Sequence, residues 1–260
     1  MIRLDAATVL LQWAVGGLFF LWFTTRAREV GTGYGWLLRG IYLLLAAGAF
    51  ACGRSFGFVP VRDVVALMVA VSALVVLIVS VVMRHGREGR GREFPPLLDL
   101  IAPSIGVVGL VAAGLDAADG GVGTTVVSLL RTFAGAAFLG AVTDAMLLGH
   151  WYLVQPGLPR RHLNDLVRAL GVVWPLEVLS LLLPVGMFAV WTGKVDDGWN
   201  GTLGWFWAAC AITTIVLVFV TRAALRERYY SAVMAATGLL YLAILTAFGT
   251  DLVARAVLAG

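Results

Sequence analysis

The chain has 260 residues, of which 60% are hydrophobic and only 13% are charged, and its mean hydropathy is +0.93. Soluble domains carry about twice that charged fraction, so the composition excludes an ordinary water-soluble protein. The net charge of +4 is dispersed along the chain, which excludes a nucleic-acid-binding surface, and we expect the lipid bilayer as its surroundings.

Eight stretches of low charge reach the length of about 18 residues that a helix needs to cross hydrocarbon. In chain order the predicted spans are roughly 7–24, 36–53, 63–83, 97–115, 125–153, 164–191, 202–221 and 231–257. No segment between them is long and polar enough for a soluble domain. The sequence therefore predicts an all-α, polytopic transmembrane helix bundle of about eight spans, forming a single membrane domain over residues 1–260.

The basic residues of the connecting segments predict the orientation of the bundle. Alternate loops carry eleven arginines, at positions 26, 28, 84, 87, 90, 92, 160, 161, 222, 226 and 228, against five basic residues on the other side, at positions 3, 54, 62, 194 and 255. Because cytoplasmic loops retain basic residues, we predict that the arginine-rich loops face the cytoplasm and that both termini are non-cytoplasmic. Arginine outnumbers lysine eighteen to one, a skew typical of GC-rich bacterial genomes, so the predicted location is the bacterial cytoplasmic (inner) membrane.

Spans five and six hold ionisable side chains inside the predicted hydrocarbon, where a charge needs a partner, a cavity or the interface. Gly157 is the centre of the hairpin between these spans; Asp144 lies thirteen residues before it and Arg168 eleven after it. At about 1.5 Å per residue the two side chains lie at similar depth. We therefore predict an Asp144–Arg168 ion pair, which either locks two helices together or acts as a gate or proton relay by breaking and re-forming.

The cytoplasmic end of span five carries His150, Trp151 and Tyr152. The two aromatic residues lie at the depth where such rings favour the membrane interface, whereas His150 lies on their apolar side, level with Asp165. A histidine beside a carboxylate can shuttle a proton or donate a hydrogen bond to a quinone headgroup. His150 and Tyr152 are therefore candidate site residues, with an interfacial anchor as the alternative.

Glu177 is the third candidate, because it is predicted near mid-membrane between Pro175 and Pro184. Proline frees backbone carbonyls, and a carboxylate beside such a break recurs at ion and substrate sites in transporters. Arg131 is predicted several residues closer to the outer surface, so we expect no basic partner at this depth and a Glu177 side chain that keeps its proton. A purely structural role, as a neutral acid bonded to a backbone carbonyl, is the alternative.

Several kinds of chemistry are not supported by the residues present. Only His150 of the three histidines lies within a span, which is too few for a haem held by two histidines. Cys52 and Cys210 each stand alone in an apolar stretch, so we expect neither a disulfide nor a metal site. We predict no cofactor, no metal and no catalytic residue, and an intramembrane enzyme is the weakest of the functions considered.

Two functions remain. The first is transport of a small solute, proton-linked through Glu177, with Asp144 and Arg168 as a pair and His150 and Tyr152 at the cytoplasmic mouth. The second is a non-catalytic membrane-anchor or quinone-contacting subunit, assembled with partner membrane subunits. Transport predicts a cavity that reaches Glu177 and a helix broken at Pro175 or Pro184, whereas a subunit predicts a dry bundle with a broad apolar face.

Overall fold

The computed structural model describes residues 5–85, 94–118, 120–183 and 186–258. It is 82% helical, and the described residues contain no strand. A 3-10 turn over Pro96–Leu100 leads directly into the fourth helix. The helices are α1 Ala6–Thr25, α2 Thr32–Phe56, α3 Pro60–His85, α4 Ile101–Asp116, α5 Val122–Trp151, α6 Arg161–Leu182, α7 Phe188–Trp191, α8 Thr202–Ala224 and α9 Tyr230–Leu258.

Seven of these helices are long and apolar enough to cross a membrane: α1, α2, α3, α4 with its 3-10 turn, α5, α8 and α9. The predicted all-α helical bundle is thereby confirmed. The outward surfaces of the helices are apolar, as a lipid-facing surface requires. On α3 the exposed row consists of Val61, Val64, Leu67, Met68, Val71, Leu74, Val75, Ile78 and Val82.

The predicted sixth span, 164–191, differs from the structure. Helix α6 ends at Leu182, and residues 188–191 form the separate short helix α7. Leu183 has an extended backbone, with φ of −92° and ψ of 152°. This is the conformation that the ring of a following proline favours, and Pro184 follows in the sequence. The first half of α6 is also polar, which explains why α6 is not among the seven helices above.

The described helices pack as two similar rings. In the first ring α1 contacts α2, α2 contacts α3, α3 contacts α4, and α4 returns to α1. In the second ring α5, α6, α8 and α9 follow the same order, and α9 returns to α5. Helices α1 and α5 are the most buried of the membrane-crossing helices, and they pack against each other. Each ring thus contributes its first helix to the centre of the molecule.

Small residues allow α1 and α5 to approach until their backbones touch. A Cβ atom on Gly16 would overlap the carbonyl oxygen of Ala136, and a Cβ atom on Gly140 would overlap the backbone of Gly16. Close packing through small residues is how membrane helices gain van der Waals contact. This glycine contact, formed by Gly16, Ala136 and Gly140, brings the backbones of the two central helices together.

Three arginine-rich loops meet at one end of the bundle, which we call the arginine-rich face: residues 26–31, 152–160 and 225–229. Gln155 accepts a hydrogen bond from the Gly31 amide at 2.9 Å and donates to the Glu29 carbonyl at 3.0 Å. Arg160 donates to the carbonyls of residues 227 and 228. The loops therefore share one face, as their alternation in the sequence requires; Arg87, Arg90 and Arg92 lie outside the described residues.

Candidate functional site

Five polar side chains from four helices are buried together in the half of the bundle that lies away from the arginine-rich face. We call them the Glu177 cluster: Gln12 of α1, Arg131 of α5, Glu177 of α6, and Asp251 and Arg255 of α9. Arg131 lies nine residues into α5. At the helical rise this is about 13 Å below the end of the helix, well inside the bundle.

Gly135 explains how these side chains can meet. A Cβ atom at this position of α5 would lie 3.0 Å from Gln12 Nε2, 3.1 Å from a guanidinium nitrogen of Arg255 and 3.2 Å from Asp251 Oδ1. Glycine therefore leaves the space into which polar groups of α1 and α9 converge on the surface of α5. Gln12 also donates to the carbonyl oxygen of Thr132 at 2.6 Å, which holds it against the same helix.

The two arginines of the cluster have different partners. Arg255 binds Asp251 through two hydrogen bonds of 2.8 and 3.0 Å, and the pair is one helical turn apart on α9. Arg131 donates to the carbonyl of Ser180 at 2.9 Å and to the carbonyl of Leu183. The last carbonyls of a helix lack partners within it, so Arg131 caps the end of α6 where the chain turns.

Glu177 itself is completely buried and its carboxyl group faces the carboxyl group of Asp251, although neither Glu177 oxygen makes a well-formed hydrogen bond among the described residues. Its charged neighbours are Asp251, Arg255 and Arg131. The expectation that no basic residue shares its depth is wrong. Helix α6 ends only five residues after Glu177, which places this side chain closer to the end of the bundle and level with Arg131 and Arg255.

A second buried group, the Asp144 cluster, lies beyond the glycine contact, nearer the arginine-rich face. It consists of Asp144 on α5 and of Tyr34 and Tyr42 on α2. The Tyr42 hydroxyl donates to Asp144 Oδ1, and the Tyr34 hydroxyl lies 3.4 Å from the Asp144 carbonyl oxygen. Oδ2 of Asp144 is buried without a hydrogen-bond partner among the described residues. The Tyr42 ring passes directly over Gly17 of α1, where any side chain would block it.

The predicted Asp144–Arg168 ion pair does not form. Asp144 is turned toward α2 and is completely buried, whereas the Arg168 side chain is exposed on α6. Counting residues from the turn sets the depth of a side chain but not the direction in which it points around its helix. An exposed arginine at this position can extend its long side chain to the interface, where its charge is hydrated.

His150 and Tyr152 are not brought together with the buried clusters. The His150 side chain is exposed and contacts Tyr241 of α9, with 3.4 Å between Nδ1 and the hydroxyl. Tyr152 is buried in the loop after α5, where its hydroxyl donates to the Pro159 carbonyl at 2.8 Å and its own carbonyl accepts from Tyr230 at 2.9 Å. Tyr152 thus holds the loop after α5 together and joins it to the start of α9.

Glu29 binds two side chains of α6, His162 and Arg161, at the arginine-rich face. His162 Nε2 lies 2.6 Å from a Glu29 carboxylate oxygen, and Arg161 binds the other oxygen. The hydrogen bond with His162 lowers the pKa of Glu29, against the opposing effect of burial and with help from Arg161. The contact therefore ties the loop after α1 to the first turn of α6.

Next to this contact is a cavity of about 170 Å³ that we call the Thr24 cavity. It is lined by Phe23, Thr24, Arg26, Ala27, Arg161, His162 and Asp165. Thr24 belongs to the last turn of α1 and is otherwise buried, so the cavity reaches into the bundle from the arginine-rich face. It brings Asp165 close to His162, and not to His150 as the sequence predicted.

Three other cavities lie at the ends or on the side of the bundle. One of about 480 Å³ opens at the opposite face between Asp5, Phe58 and Arg62, and one of about 210 Å³ is bounded by Arg39 and Phe94. An apolar crevice of about 370 Å³ runs between α1, α4 and α5. Glu177 lines none of these four cavities. In the described residues no three His, Cys, Asp or Glu side chains converge to hold a metal ion.

Asp251 and Arg255 were not among the site residues predicted from the sequence, and position 255 was counted only as a basic residue of the non-cytoplasmic side. Their spacing of four residues on a predicted helix was the available signal, since residues four apart on a helix can pair. The contribution of Gln12 and Gly135 could not be foreseen, because it depends on which faces of α1, α5 and α9 meet.

Comparison of the chain with protein-family models, with curated proteins and with solved structures finds no match.

Proposed function

We propose that this protein transports a small solute across the bacterial inner membrane and that the transport is linked to protons through Glu177. The observation that carries the proposal is the pair of buried polar clusters, each holding a carboxyl group with an unpartnered oxygen. A buried, unpartnered carboxyl is unfavourable in a membrane protein, and such groups mark ion and proton pathways. A scaffold would gain stability by replacing them with apolar side chains.

The placement of the clusters supports this function. Along α5, Gly135, on which side chains of the Glu177 cluster converge, and Asp144 are nine residues, or about 13 Å, apart, and the glycine contact lies between them. Each cluster therefore lies on its own side of a close-packed, apolar barrier. The barrier is made by one helix from each ring, and rocking of one ring against the other about α1 and α5 would expose the clusters in turn.

The electrostatics support a role for Glu177 in proton coupling. If Arg131, Arg255 and Asp251 are ionised, the cluster carries one net positive charge when Glu177 holds its proton and is neutral when Glu177 releases it. Asp5, which lines the cavity at the opposite face, also interacts with Arg255. Proton release would therefore change how well the cluster holds a charged solute, and that dependence is what coupling requires.

Replacement of Glu177 by Gln tests the proposal, because it removes the titrating group and nearly keeps its shape. Purified protein in liposomes containing a pH-sensitive dye is given an imposed pH gradient and a mixture of labelled amino acids, sugars and carboxylic acids. We expect uptake by the wild-type protein to depend on the gradient. We expect Glu177→Gln to lower gradient-driven uptake by at least about tenfold, the effect of losing a positioned proton carrier.

Glu227→Gln is the matched control, because Glu227 lies in an exposed loop. It should transport like the wild-type protein. If uptake by the Glu177→Gln variant has the same pH dependence as uptake by the wild-type protein, the coupling hypothesis is wrong. A wild-type protein that moves neither proton nor solute above protein-free liposomes would end the transport hypothesis.

The second candidate function is a non-catalytic membrane-anchor or quinone-contacting subunit with partner membrane subunits. It is favoured by the dry packing: Glu177 lines none of the described cavities, and α6 continues unbroken through Pro175. Extraction in mild detergent followed by mass determination separates the two functions. A transporter is expected alone or as copies of itself, whereas a subunit is expected with other chains in fixed proportion.

A further inference from the structure

We propose that the cavity of about 210 Å³ beside Arg39, which we call the Arg39 cavity, binds the phosphate of an anionic phospholipid headgroup at the arginine-rich face. The tails of that lipid lie on the apolar outer surface of the bundle. This site is independent of the proposed transport, because lipid binding can be measured on a protein that moves no solute.

The Arg39 cavity has an exposed mouth and a buried, polar floor. Arg28 and Thr32 line it and are exposed, whereas Gly35, Arg39 and Ser80 line it and are buried. A Cβ atom on Gly35 would lie 2.9 Å from Nη1 of Arg39, so glycine at this position leaves the space in which the guanidinium group lies against α2. The floor is therefore built around one buried arginine and one buried serine.

Both groups at the floor keep hydrogen-bond donors for a ligand. Asp99 accepts from Arg39 Nε at 2.7 Å and from Nη2 at 2.8 Å, and Ser80 accepts from Nη1 at 3.3 Å. A guanidinium group has five N–H bonds, so each Nη has one more hydrogen to donate. Ser80 Oγ also accepts from Trp36 Nε1 at 3.0 Å, which leaves its own hydroxyl hydrogen to be donated. An oxyanion such as phosphate accepts hydrogen bonds from donors of this kind.

The charge around the mouth favours an anion. Asp99 neutralises Arg39, but Arg28 adds one positive charge, and Arg84, which donates to the Thr32 hydroxyl, adds another. Helix α2 begins at Thr32 without a side-chain cap, so the positive end of its dipole lies at the same place. None of the described residues that line the cavity is acidic. The mouth therefore attracts a negatively charged group.

The position of the cavity favours a lipid over a dissolved anion. The Arg84 guanidinium carbon lies 5.3 Å from the centre of the Trp36 ring, and tryptophan is enriched at the membrane interface. The exposed apolar residues Leu37 and Leu44 of α2 begin within two turns of Thr32 and continue away from the arginine-rich face. Basic pockets between helices on the cytoplasmic side of a membrane bind anionic headgroups, and this is the face that we predict to be cytoplasmic.

Native mass spectrometry of the full-length protein tests the site. Protein purified in mild detergent is titrated with phosphatidylglycerol, which is anionic, and with phosphatidylcholine, in which the choline group offsets the phosphate charge. We expect one phosphatidylglycerol molecule to be retained per chain, at least about tenfold more tightly than phosphatidylcholine, which is the effect of one hydrogen bond to a charged group.

Two variants locate the bound lipid. Ser80→Ala removes a donor from the floor without changing the charge of the protein, and Arg28→Gln removes a charge from the exposed mouth. We expect each to weaken retention of phosphatidylglycerol by about tenfold. Arg226→Gln is the matched control, because it removes the same charge from an exposed position on another loop of the same face. It should retain the lipid as the wild-type protein does.

Thermal unfolding shows whether each variant is folded, and if Ser80→Ala is not, the exposed Arg28→Gln still decides the result. Retention of phosphatidylglycerol by Arg28→Gln at the wild-type affinity would overturn the site. Equal weakening in Arg28→Gln and Arg226→Gln would also overturn it, because attraction to the lipid would then be spread over the whole face.

Inorganic phosphate is the second probe. If it raises the unfolding temperature of the wild-type protein while no phosphatidylglycerol is retained, the cavity binds a dissolved anion and the assignment to a lipid is wrong. None of these measurements uses transport, so an unchanged uptake by Glu177→Gln would remove the proposed function and leave the lipid site in place.

Discussion

Individual glycines decide how closely the central helices approach and where polar side chains fit between them. Gly16 and Gly140 bring the backbones of α1 and α5 into contact, Gly17 admits the Tyr42 ring, and Gly135 admits the polar groups of the Glu177 cluster. Glycine lowers intrinsic helix stability, so its use at these four buried positions reflects packing. Other glycines lie in open positions, and Gly40 of α2 is one of these.

We expect Gly140→Ala to destabilise the protein, because the new methyl group overlaps the backbone of Gly16 and a helix backbone cannot move aside cheaply. Overpacking of this kind costs about 1–3 kcal/mol. Thermal unfolding of the purified protein in detergent measures the effect. Gly40→Ala is the matched control: nothing lies within 4 Å of its Cβ, so it should be neutral or slightly stabilising. Equal unfolding temperatures for the two variants would contradict the glycine contact.

Helices and loops are joined by contacts that the hydrophobic pattern does not show. The loop after α1 is held to α6 by Glu29 with its two basic partners, and to the loop after α5 by Gln155. The 3-10 turn before α4 is held to α2 by the buried Arg39–Asp99 pair, with 2.7 Å between Nε and Oδ1. These polar links position the ends of the helices at the arginine-rich face.

The Glu29 contact should weaken in acid. The pKa of Glu29 is lowered in the folded protein, so its charge stabilises the fold above the unfolded value of 4.5 and this contribution is lost as the pH falls through the lower, folded value. We expect wild-type protein to unfold at a slightly higher temperature than Glu29→Gln at pH 7. The difference should disappear in acid below the ordinary carboxyl range. The effect is small because the pair is partly exposed.

Thermal unfolding measured from neutral to acid pH checks this expectation. The control is Glu227→Gln, which removes an exposed carboxylate from another loop of the same face. That control should follow the wild-type curve at every pH. A difference between wild type and Glu29→Gln that stays constant into acid would show that the Glu29 charge does not stabilise the contact.

The whole molecule consists of two four-helix rings, in the described part of the chain, that share a centre made by α1 and α5. Polar clusters lie on both sides of that centre, and three arginine-rich loops lie together at one end. If basic loops are kept in the cytoplasm, that end faces inward. The Thr24 cavity then opens to the cytoplasm, and the Glu177 cluster lies toward the outer surface.

Labelling of single cysteines tests this orientation after Cys52 and Cys210 are replaced by Ala. Gly123 lies in the first turn of α5 and Gly157 lies in the loop after α5. Both are exposed, and a Cβ atom added at either position would have no neighbour within 4 Å. A membrane-impermeant maleimide applied to intact bacterial spheroplasts should label Gly123→Cys at once. It should label Gly157→Cys only after the membrane is permeabilised, and the reverse result would invert the predicted topology.

The fold class and the ends of most helices could be predicted from the sequence, because hydrocarbon demands long apolar helices whatever their neighbours. The placement of the arginine-rich loops on one face could be predicted as well, because alternate loops of a multi-pass chain must lie on the same side of the membrane. Glu177 and Asp144 stood out since carboxyl groups are rare in apolar stretches. These properties depend on composition along one helix at a time.

The partners of those carboxyl groups were decided only by the tertiary structure. Asp144 binds Tyr42 and not Arg168. Glu177 lies beside Arg131, Asp251 and Arg255. Both results depend on how each helix is rotated about its axis, and this rotation follows from side-chain packing between helices far apart in sequence. Depth can be counted from a turn, at a fixed rise per residue. The direction in which a side chain points cannot be counted in this way. Successive side chains lie about 100° apart around the helix axis, and only contacts with neighbouring helices select which side chains face inward.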